Sequence, residues 1–367
     1  YNGKSYNYPD IRLVYWAGGN PFHHHQDLNR MRQAWQKPET IIVHEWCWNA
    51  HAKHADIVLP CTTTLERSDI AQTPRDGFVV YMEQAIEPLG DSRNDYDIFR
   101  GIGRHMGVEE AFSEGRDEQQ WLRWIYDRTR ENAAAKHIEM PSLEKLKRDR
   151  WIEIMAPDQP QIMLSTFRRD PEANPLRTPS GKIEIYSETI ASFEYDDCPP
   201  HPTWLEPVEW LGSAGAENAL HLISNQPSTK LHSQLDHGSH SRASKIDGRE
   251  PIMLNPHDAQ CRGIGSGDLV RVFNNRGACI CGAVVDDHIR RGVAQLSTGA
   301  WFDPDLTNGL CKHGNPNVLT MDKGTSRLAQ GPIAHTCLVE IERFEGAATP
   351  VTAFTGPQIV DRKPEKS

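Results

Sequence analysis

The sequence of 367 residues lacks the features that mark several large classes of protein. No apolar run approaches the roughly 20 residues that a membrane-spanning helix needs. There is no excess of positive charge: 40 Lys and Arg stand against 50 Asp and Glu, which argues against a general nucleic-acid binder. The 38% hydrophobic and 25% charged residues exclude a wholly disordered, collagenous or coiled-coil chain.

Closely spaced cysteines are also lacking. The eight cysteines are scattered along the chain, and no two form a C-x-x-C pair. Cysteine-ligated clusters and zinc ribbons need such pairs, so we expect no iron–sulfur cluster in this chain. Cys279 and Cys281 are two apart in an expected strand, where they are predicted to pack as small hydrophobes. Reduced thiols favour the cytoplasm slightly, and the periplasm stays open.

Two further absences concern completeness and catalysis. The chain begins Tyr1-Asn2-Gly3-Lys4, without an initiator methionine or an apolar signal segment, so we expect a fragment of a longer protein. No P-loop, Ser-His-Asp elbow or H-E-x-x-H motif occurs. Many polar ligand-binding groups without a catalytic set of their own indicate a large cofactor that performs the chemistry.

What the sequence does contain is, first, an alternation of strands and helices. Strands are predicted at 11–16, 40–43 and 56–60, and helices at 26–36, 49–55 and 95–106. Short apolar strands separated by helices indicate βαβ units and a parallel sheet. We therefore assign residues 1–108 to an α/β domain, whose ligands would bind beyond the carboxyl ends of the strands.

The rest of the chain divides into three parts. Residues 109–216 are predicted to be a charged helical insert, with a helix over 117–136, and a proline-rich connector with a strand at 183–186. Residues 217–345 read as a β-barrel, because short strands alternate with glycine turns. Its strands are expected at 220–224, 268–273, 278–285, 292–297 and 336–341, with a helix at 256–263. Residues 346–367 are expected to be a surface tail.

Polar side chains follow each strand of the α/β domain. Asn20 and His24 lie in a glycine-rich loop that opens a helix, whose N-terminus favours a phosphate. One metal site formed by the run of histidines at 23–25 is not expected, since neighbours on a helix point about 100° apart. His44 and Glu45 follow the second strand, where Glu45 could hold ribose or base donors or cap the next helix.

Two charged residues further along have comparable alternatives. Arg67, after the third strand, could clamp a phosphate, or it could form a salt bridge with Glu66 or Asp69. Asp97, in the first turn of the helix at 95–106, could accept guanine N–H donors or compensate the helix dipole. These readings stay open on the residues alone.

The barrel part offers two more candidate sites. The run at 224–236 is unusually polar for a segment that follows an apolar strand, and it suits a flat, heteroatom-rich ligand with phosphates. Turns at 313–320 and 324–330 carry amides that could form a shared ligand face or serve ordinary turn chemistry.

Several motifs, in order and over essentially the whole chain, resemble the dimethyl sulfoxide reductase family of molybdopterin enzymes. They are YWAGGNPF at 15–22, ADIVLP at 55–60, SGKIEI at 180–185, WLEP at 204–207, LHSQ at 231–234 and NPNVLT at 315–320. Within the family the chain is similar to the trimethylamine N-oxide, dimethyl sulfoxide and biotin or methionine sulfoxide reductases. The resemblance implies a parallel α/β dinucleotide-binding lobe with a helical insert, followed by a C-terminal six-stranded double-psi-type barrel.

The resemblance also implies a cofactor, bis(molybdopterin guanine dinucleotide) molybdenum, which reduces an S-oxide or N-oxide by oxygen-atom transfer between Mo(IV) and Mo(VI). It places Asn20, His24, His44, Glu45, Arg67 and Asp97 on one guanine dinucleotide. The pterins and pyrophosphates would contact Ser224, Asn225, Gln226, Pro227, Lys230, His232, Ser233 and Gln234, and Asn317, Ala334 and His335 would complete that face. Members of the family often carry Arg at position 230, and a lysine there lacks the forked donors that make a bidentate phosphate contact.

The resemblance leaves the catalytic residues and the molybdenum ligand outside this chain, because the family carries its ligating serine and its substrate-pocket aromatics in an N-terminal half. By itself the chain is expected to be inactive. Its expected partners are that half, an S-oxide or N-oxide and an electron donor, a cytochrome or small redox protein. The alternatives are a non-catalytic module that binds a nucleotide or a protein, and a relative that acts on another substrate.

Overall fold

The computed structural model describes residues 4–154, 162–213 and 218–360. Its contacts divide the chain into two compact units. The barrel unit comprises Tyr1–Val43, Trp48–Ile57 and Ile185–Ser367, and the insert unit comprises His44–Cys47 and Val58–Glu184. The predicted limits at 108 and 216 do not coincide with this division, and the domain boundaries themselves stay a prediction.

The first strands and helices agree closely with the sequence pattern. Strands β1 (Leu13–Ala17), β2 (Thr40–Glu45) and β3 (Ile57–Pro60) form one sheet in that order, with helices α1 (Pro21–His24), α2 (Leu28–Trp35) and α3 (Ala50–Lys53) between them. Helix α2 begins after Asp27, whose carboxylate accepts the Arg30 N–H at 3.1 Å. A side-chain cap of this kind satisfies a backbone donor that the first turn leaves unpaired.

The predicted C-terminal barrel is confirmed. Six strands form a closed ring in the order β10-β8-β11-β7-β14-β9, and antiparallel pairing of β9 with β10 closes it. They are β7 (Leu220–Ile223), β8 (Pro251–Leu254), β9 (Leu269–Phe273), β10 (Ala278–Val285), β11 (Val293–Leu296) and β14 (Leu338–Arg343). The short strands β12 (Pro304–Asp305) and β13 (Leu310–Cys311) extend the sheet beside β10.

Three short helices connect barrel strands: α10 (Ser239–Ala243), α11 (Pro256–Gln260) and a 3-10 helix (Pro316–Val318). The barrel interior is apolar, and Cys279 and Cys281 lie within it as predicted, their sulfurs 3.7 Å apart. Within the described residues, none of the eight cysteines forms a disulfide.

The insert unit has its own small core. Helices α4 (Asp95–His105), α5 (Glu109–Ser113), α6 (Glu118–Ala134) and α7 (Leu143–Asp149) accompany an antiparallel sheet of β4 (Asp69–Gln72), β5 (Phe78–Met82) and β6 (Trp151–Glu153). Val79, Tyr81, Tyr126, Leu143 and Leu146 are buried together. The predicted helices at 95–106 and 117–136 are confirmed, whereas the sheet was not predicted.

The predicted strand at 183–186 is wrong. These residues are irregular, and Ile183 and Ile185 are 65% and 77% exposed, because no strand in the described part of the chain pairs with them. An apolar–polar alternation supplies no partner strand by itself. Two short helices flank this segment, α8 (Ser165–Arg169) and α9 (Glu188–Ala191).

The start of the tail packs against the barrel unit. Lys53 Nζ donates to the carbonyl oxygens of Thr352 and Ala353 at 3.1 and 2.8 Å, and Ala353 is buried. The rest of the predicted surface tail, 361–367, lies outside the described residues. Among the residues described here, no helix is both long and apolar enough to cross a bilayer.

Candidate functional site

The glycine-rich loop after β1 presents a polar group with no intramolecular partner. Gly18 and Gly19 have φ values of +84° and +79°, which glycine adopts without strain. Asn20 follows at the start of α1, but its side chain makes no capping bond. Both its amide oxygen and its amide nitrogen are buried without a hydrogen-bond partner in the described part of the chain. Such groups are costly unless a ligand or water satisfies them, so Asn20 suits a bound polar ligand.

The three consecutive histidines have different surroundings. His23 is buried and stacks on Trp301, with ring centroids 5.6 Å apart. His24 is exposed, and its pKa is lowered by burial of part of the ring, then by His25 and His232. The charge of His232, in the polar run after β7, thus affects His24 in the loop after β1.

Hydrogen bonds fix the conformation of that polar run, which follows β7. Asn225 accepts from Ser297 Oγ at 3.0 Å through its side chain and from the Thr298 N–H at 2.9 Å through its carbonyl. The Gln226 amide and His232 Nδ1 are 2.8 Å apart, and Gln226 Oε1 accepts the His232 N–H at 3.3 Å. Gln226 and His232 are both exposed, so the run offers an amide and an imidazole in a defined arrangement.

The other predicted members of this run are placed nearby in the chain. Ser224, Pro227 and Ser233 are half-buried, and Gln234 is exposed. The Ser233 carbonyl accepts from Trp301 Nε1 at 2.9 Å, and the Gln234 N–H donates to the Leu231 carbonyl at 2.9 Å. The segment is therefore a tight turn that is tied to the loop after β11.

Two lysines and two carboxylates form a buried charge network in the barrel unit. Lys230 Nζ donates to both Glu250 oxygens at 2.8 and 2.9 Å and lies 3.3 Å from Asp236 Oδ1. Lys245 Nζ donates to Glu250 Oε2 at 2.7 Å and lies 2.9 Å from Asp236 Oδ1. All four side chains are at most 3% exposed, so each charge depends on the others for compensation.

Asp236 connects this network to other loops. Its Oδ1 accepts from Ser241 Oγ at 2.9 Å, and its Oδ2 accepts from the Trp301 N–H at 3.1 Å. Burial alone would raise the pKa of Asp236, but Lys245, His313 and Lys230 outweigh burial and lower it to about 2. An ionised carboxylate therefore fixes the end of the polar run against the loop after β11.

The pyrophosphate contact of Lys230 stays a prediction, and the structure shows where its side chain lies. The ammonium group has no exposed surface and is held between Glu250 and Asp236. Its physical role here is to anchor the polar run from the inside, because the buried carboxylates of Glu250 and Asp236 need a positive charge nearby.

Gly299 allows the polar run to approach the loop after β11. Its φ is +97°, and an added Cβ would lie 1.8 Å from the His232 carbonyl oxygen and 3.2 Å from Lys230 Cε. A real Cβ contact never comes so close to a backbone atom, so this position requires glycine for space as well as for conformation.

The last predicted residues of the barrel unit lie in two turns. Asn317 is buried, and its amide donates to the His23 carbonyl at 3.1 Å, so it fixes the loop after β1. Ala334 is half-buried and His335 is exposed, in a turn where the Thr336 N–H donates to the Ile333 carbonyl at 2.9 Å. Asn317 therefore has a structural task in addition to any ligand contact.

The predicted residues of the insert unit fall into two groups. His44 and Glu45 are buried at the end of β2, and His44 Nδ1 lies 2.6 Å from Asp95 Oδ1. Arg67 and Asp97 both line a cavity of about 370 Å³. Arg67 Nη1 donates to the Thr62 carbonyl at 3.1 Å, while Asp97 is exposed.

Sequence reasoning missed several residues that shape these sites: Glu118 in the cavity, and Asp236, Lys245, Glu250 and Gly299 around the polar run. Asp236 ended the polar run in the sequence, but nothing marked it as buried. The others follow unremarkable segments, and their partners are distant along the chain. A spacing signal could not have found them.

The buried histidines predict an acid-labile fold. Burial lowers the pKa of His23 to about 3 and that of His313 to about 4, from an ordinary 6.5. Below pH 6.5 both imidazoles bind protons in the unfolded chain but stay neutral in the folded chain. The free energy of unfolding should therefore fall as the pH drops from 6.5 to 4. His313 alone should contribute about 3 kcal/mol of this loss.

Urea unfolding between pH 7 and pH 4 measures this dependence. His313 Nδ1 contacts the Trp301 carbonyl at 2.9 Å, a bond that the amide of His313→Asn can replace without titrating. Lys245, Asp236 and Glu250 also act on His313, and they are retained in this variant. Asp236, His24, His51 and His313 act on His23, and of these the variant changes only His313. An equally steep pH dependence in His313→Asn would contradict the assignment.

Comparison with known proteins connects these features. A family model described as "Molybdopterin oxidoreductase" matches residues 3–105, and one described as "Molydopterin dinucleotide binding domain" matches residues 220–338. The first range contains the residues at the strand ends, and the second contains the barrel and the polar run. The second match indicates a molybdopterin cofactor.

Characterised relatives match along nearly the whole chain. Biotin sulfoxide reductase from Cereibacter sphaeroides is 51% identical over 95% of this chain and 47% of its own length. Dimethyl sulfoxide/trimethylamine N-oxide reductase from the same organism is 45% identical over 98% of this chain and 44% of its own length. Trimethylamine-N-oxide reductase from Salmonella typhi is 46% identical over 97% of this chain and 43% of its own length. The chain spans about half the length of the curated relatives it matches.

A solved structure supports the same fold. Acetylene hydratase from Pelobacter acetylenicus superposes with a TM-score of 0.70 over 91% of this chain and 44% of that chain. The identity is 19%, so this likeness concerns the fold alone.

Proposed function

Because this chain belongs to the molybdopterin oxidoreductase family, we propose that it is the cofactor-binding part of a reductase that removes oxygen from S-oxides or N-oxides. The observation that carries the proposal is the 43–51% identity to biotin, dimethyl sulfoxide and trimethylamine N-oxide reductases over most of the chain. An S-oxide or N-oxide is the proposed substrate, and a cytochrome or small redox protein is the proposed electron donor.

The proposed cofactor is bis(molybdopterin guanine dinucleotide) molybdenum. When bound, it would supply the two-electron oxygen-atom transfer, since the chain has no catalytic set of its own. The described residues fit a large polar ligand. Among the described residues, the two buried amide atoms of Asn20 have no partner, and His24 and His232 lie in the barrel-unit loops that follow β1 and β7.

Each group of residues has a distinct proposed role. In the barrel unit, Asn20 and His24 would hydrogen-bond one dinucleotide, and the run at 224–234 would contact pterin and pyrophosphate through Gln226, His232 and backbone groups. Lys230 would position this run instead of touching phosphate. In the insert unit, Arg67 and Asp97 would bind the guanine end, with His44 and Glu45 at the nearby strand end.

Arg67→Ala tests the cofactor assignment. The protein is purified from a host that makes the cofactor, joined to the N-terminal half that its relatives have, and its molybdenum and guanine nucleotide contents are measured. Loss of a charge-assisted phosphate or base contact should reduce cofactor affinity about 10- to 100-fold. The control is Arg128→Ala, which removes an exposed arginine of α6 that pairs with Glu131. Full occupancy in Arg67→Ala would count against the proposed function.

A further inference from the structure

The start of helix α6 meets the insert-unit cavity. Asp117 caps the helix, with its carboxylate accepting the Gln120 N–H at 2.7 Å and the Gln120 side chain accepting the Asp117 N–H at 2.8 Å. This capping box fixes the first turn, so Glu118, the first helical residue, has a defined direction. Glu118 lines the same cavity as Arg67 and Asp97.

Contacts with helix α4 hold the helix start in place. Tyr96 Oη donates to the Arg116 carbonyl at 2.5 Å and accepts from Trp121 Nε1 at 3.1 Å. The Asn94 amide donates to Glu118 Oε2, and its oxygen accepts from Thr62 Oγ1 at 2.7 Å. Asn94 precedes α4 but does not cap it, because its side chain is used for this bridge.

The bridge orients one Glu118 oxygen and leaves the other, Oε1, without a hydrogen-bond partner in the described ranges 4–154, 162–213 and 218–360. Asp97 lies in the first turn of α4, and its carboxylate likewise has no hydrogen-bond partner in those ranges. Glu118 and Asp97 line the same cavity, and the pKa of Glu118 is raised, first by burial and then by the charge of Asp97.

Two neighbouring carboxylates beside an arginine call for a ligand with several N–H donors. Guanine has such an edge, with its ring N1–H and its exocyclic amino group side by side. One carboxylate can accept N1–H and one amino hydrogen, which leaves the second amino hydrogen for another acceptor. The 370 Å³ cavity falls in the size range of small-ligand sites.

We propose that Glu118 is a specificity-determining residue of this cavity, whose carboxylate accepts the exocyclic amino group of a guanine nucleotide while Asp97 accepts N1–H. This inference rests on the proposed function and adds to it a role for the helical insert, which supplies recognition of the base. Glu118 then discriminates guanine from purines that lack the amino group.

Calorimetric titration of the 367-residue chain with GDP and with IDP tests the inference, since hypoxanthine lacks the amino group but keeps N1–H. The unaltered chain should bind GDP more tightly than IDP. Glu118→Ala should lower that preference about tenfold, the effect of one charge-assisted hydrogen bond, with little change for IDP. Asp97→Asn should weaken both nucleotides, because both carry N1–H.

Glu131→Gln is the matched control, because it removes a carboxylate from the last turns of the same helix, where Glu131 pairs with exposed Arg128. A GDP preference that Glu118→Ala leaves unchanged would overturn the role of Glu118 and leave the proposed function intact. The chain could instead bind Mn²⁺ in the absence of nucleotide, lose that binding in Glu118→Ala and show no preference between GDP and IDP. That result would overturn the proposed role of Glu118 in favour of a cation site. A chain that binds neither nucleotide would overturn the base site itself, and the Arg67→Ala occupancy measurement then judges the proposed function separately.

Discussion

Asp236→Ala should lower the free energy of unfolding of the barrel unit by about 3–5 kcal/mol, the usual cost of breaking a buried ion pair from one side. The substitution leaves the ammonium groups of Lys230 and Lys245 to share Glu250 alone. It also removes the acceptor for the Ser241 hydroxyl and the Trp301 N–H. The lost solvation of two charges in a site with no exposed surface cannot be recovered by side-chain rotation.

Urea unfolding at pH 7, followed by circular dichroism and tryptophan fluorescence, measures this loss. Glu342→Gln is the control, since it breaks an exposed ion pair with Arg271 on the barrel surface and should cost less than about 1 kcal/mol. A similar small effect for both variants would show that the network does not hold the barrel together.

A second variant keeps the test informative if Asp236→Ala does not fold. Asp236→Asn retains an acceptor for Ser241 and Trp301, and combining it with Lys245→Met restores one lysine to one carboxylate. The double variant should therefore be more stable than the sum of the two single changes by about 1–3 kcal/mol. Strict additivity would contradict the coupling that the distances indicate.

The sequence predicted the regular elements well wherever the local pattern was strong. Strand β10 was predicted with its observed bounds, because eight consecutive residues combine β-forming side chains with a turn on one side. The sheet β4-β5-β6 was not predicted, since its strands have three to five residues and β6 lies far from β5 in the chain. The wrong strand at 183–186 has the opposite cause, an alternating pattern that no partner completes.

The sequence indicated which residues could form the candidate site, but it did not indicate where their side chains point. The polar run was predicted to be a ligand-binding segment, which stays a prediction, and nothing in the local sequence shows that the Lys230 ammonium points inward. That direction depends on Glu250, 20 residues away, and on the closure of the barrel that brings β8 beside β10 and β11. Glu118 was not predicted for a related reason. An acidic residue at the start of a helix is explained by its interaction with the helix dipole, and only the structure shows that a cavity lies beside it.

The second large effect on stability is expected for Gly299→Ala, because Gly299 lies directly against the backbone of His232. The new Cβ would lie 1.8 Å from the His232 carbonyl oxygen, so the turn at 231–234 must move by more than 1 Å. That turn cannot move alone, because Trp301 Nε1 binds the Ser233 carbonyl at 2.9 Å and Lys230 is held by Glu250. We therefore expect both a loss of stability and a displacement of the turn at 231–234.

Gly309→Ala separates the clash from the cost of the backbone conformation. Gly309 has a φ of +65° and nothing within 4 Å of an added Cβ, so alanine there should cost only the left-handed strain, about 1–2 kcal/mol. Gly299→Ala should cost at least about 2 kcal/mol more, accelerate amide hydrogen exchange in the turn, and lower molybdenum content more than tenfold in the cofactor-loading measurement. Equal effects of the two alanine substitutions would mean that the turn at 231–234 can move without a loss of stability. The close contact between His232 and Gly299 would then not be needed to hold the polar run in place.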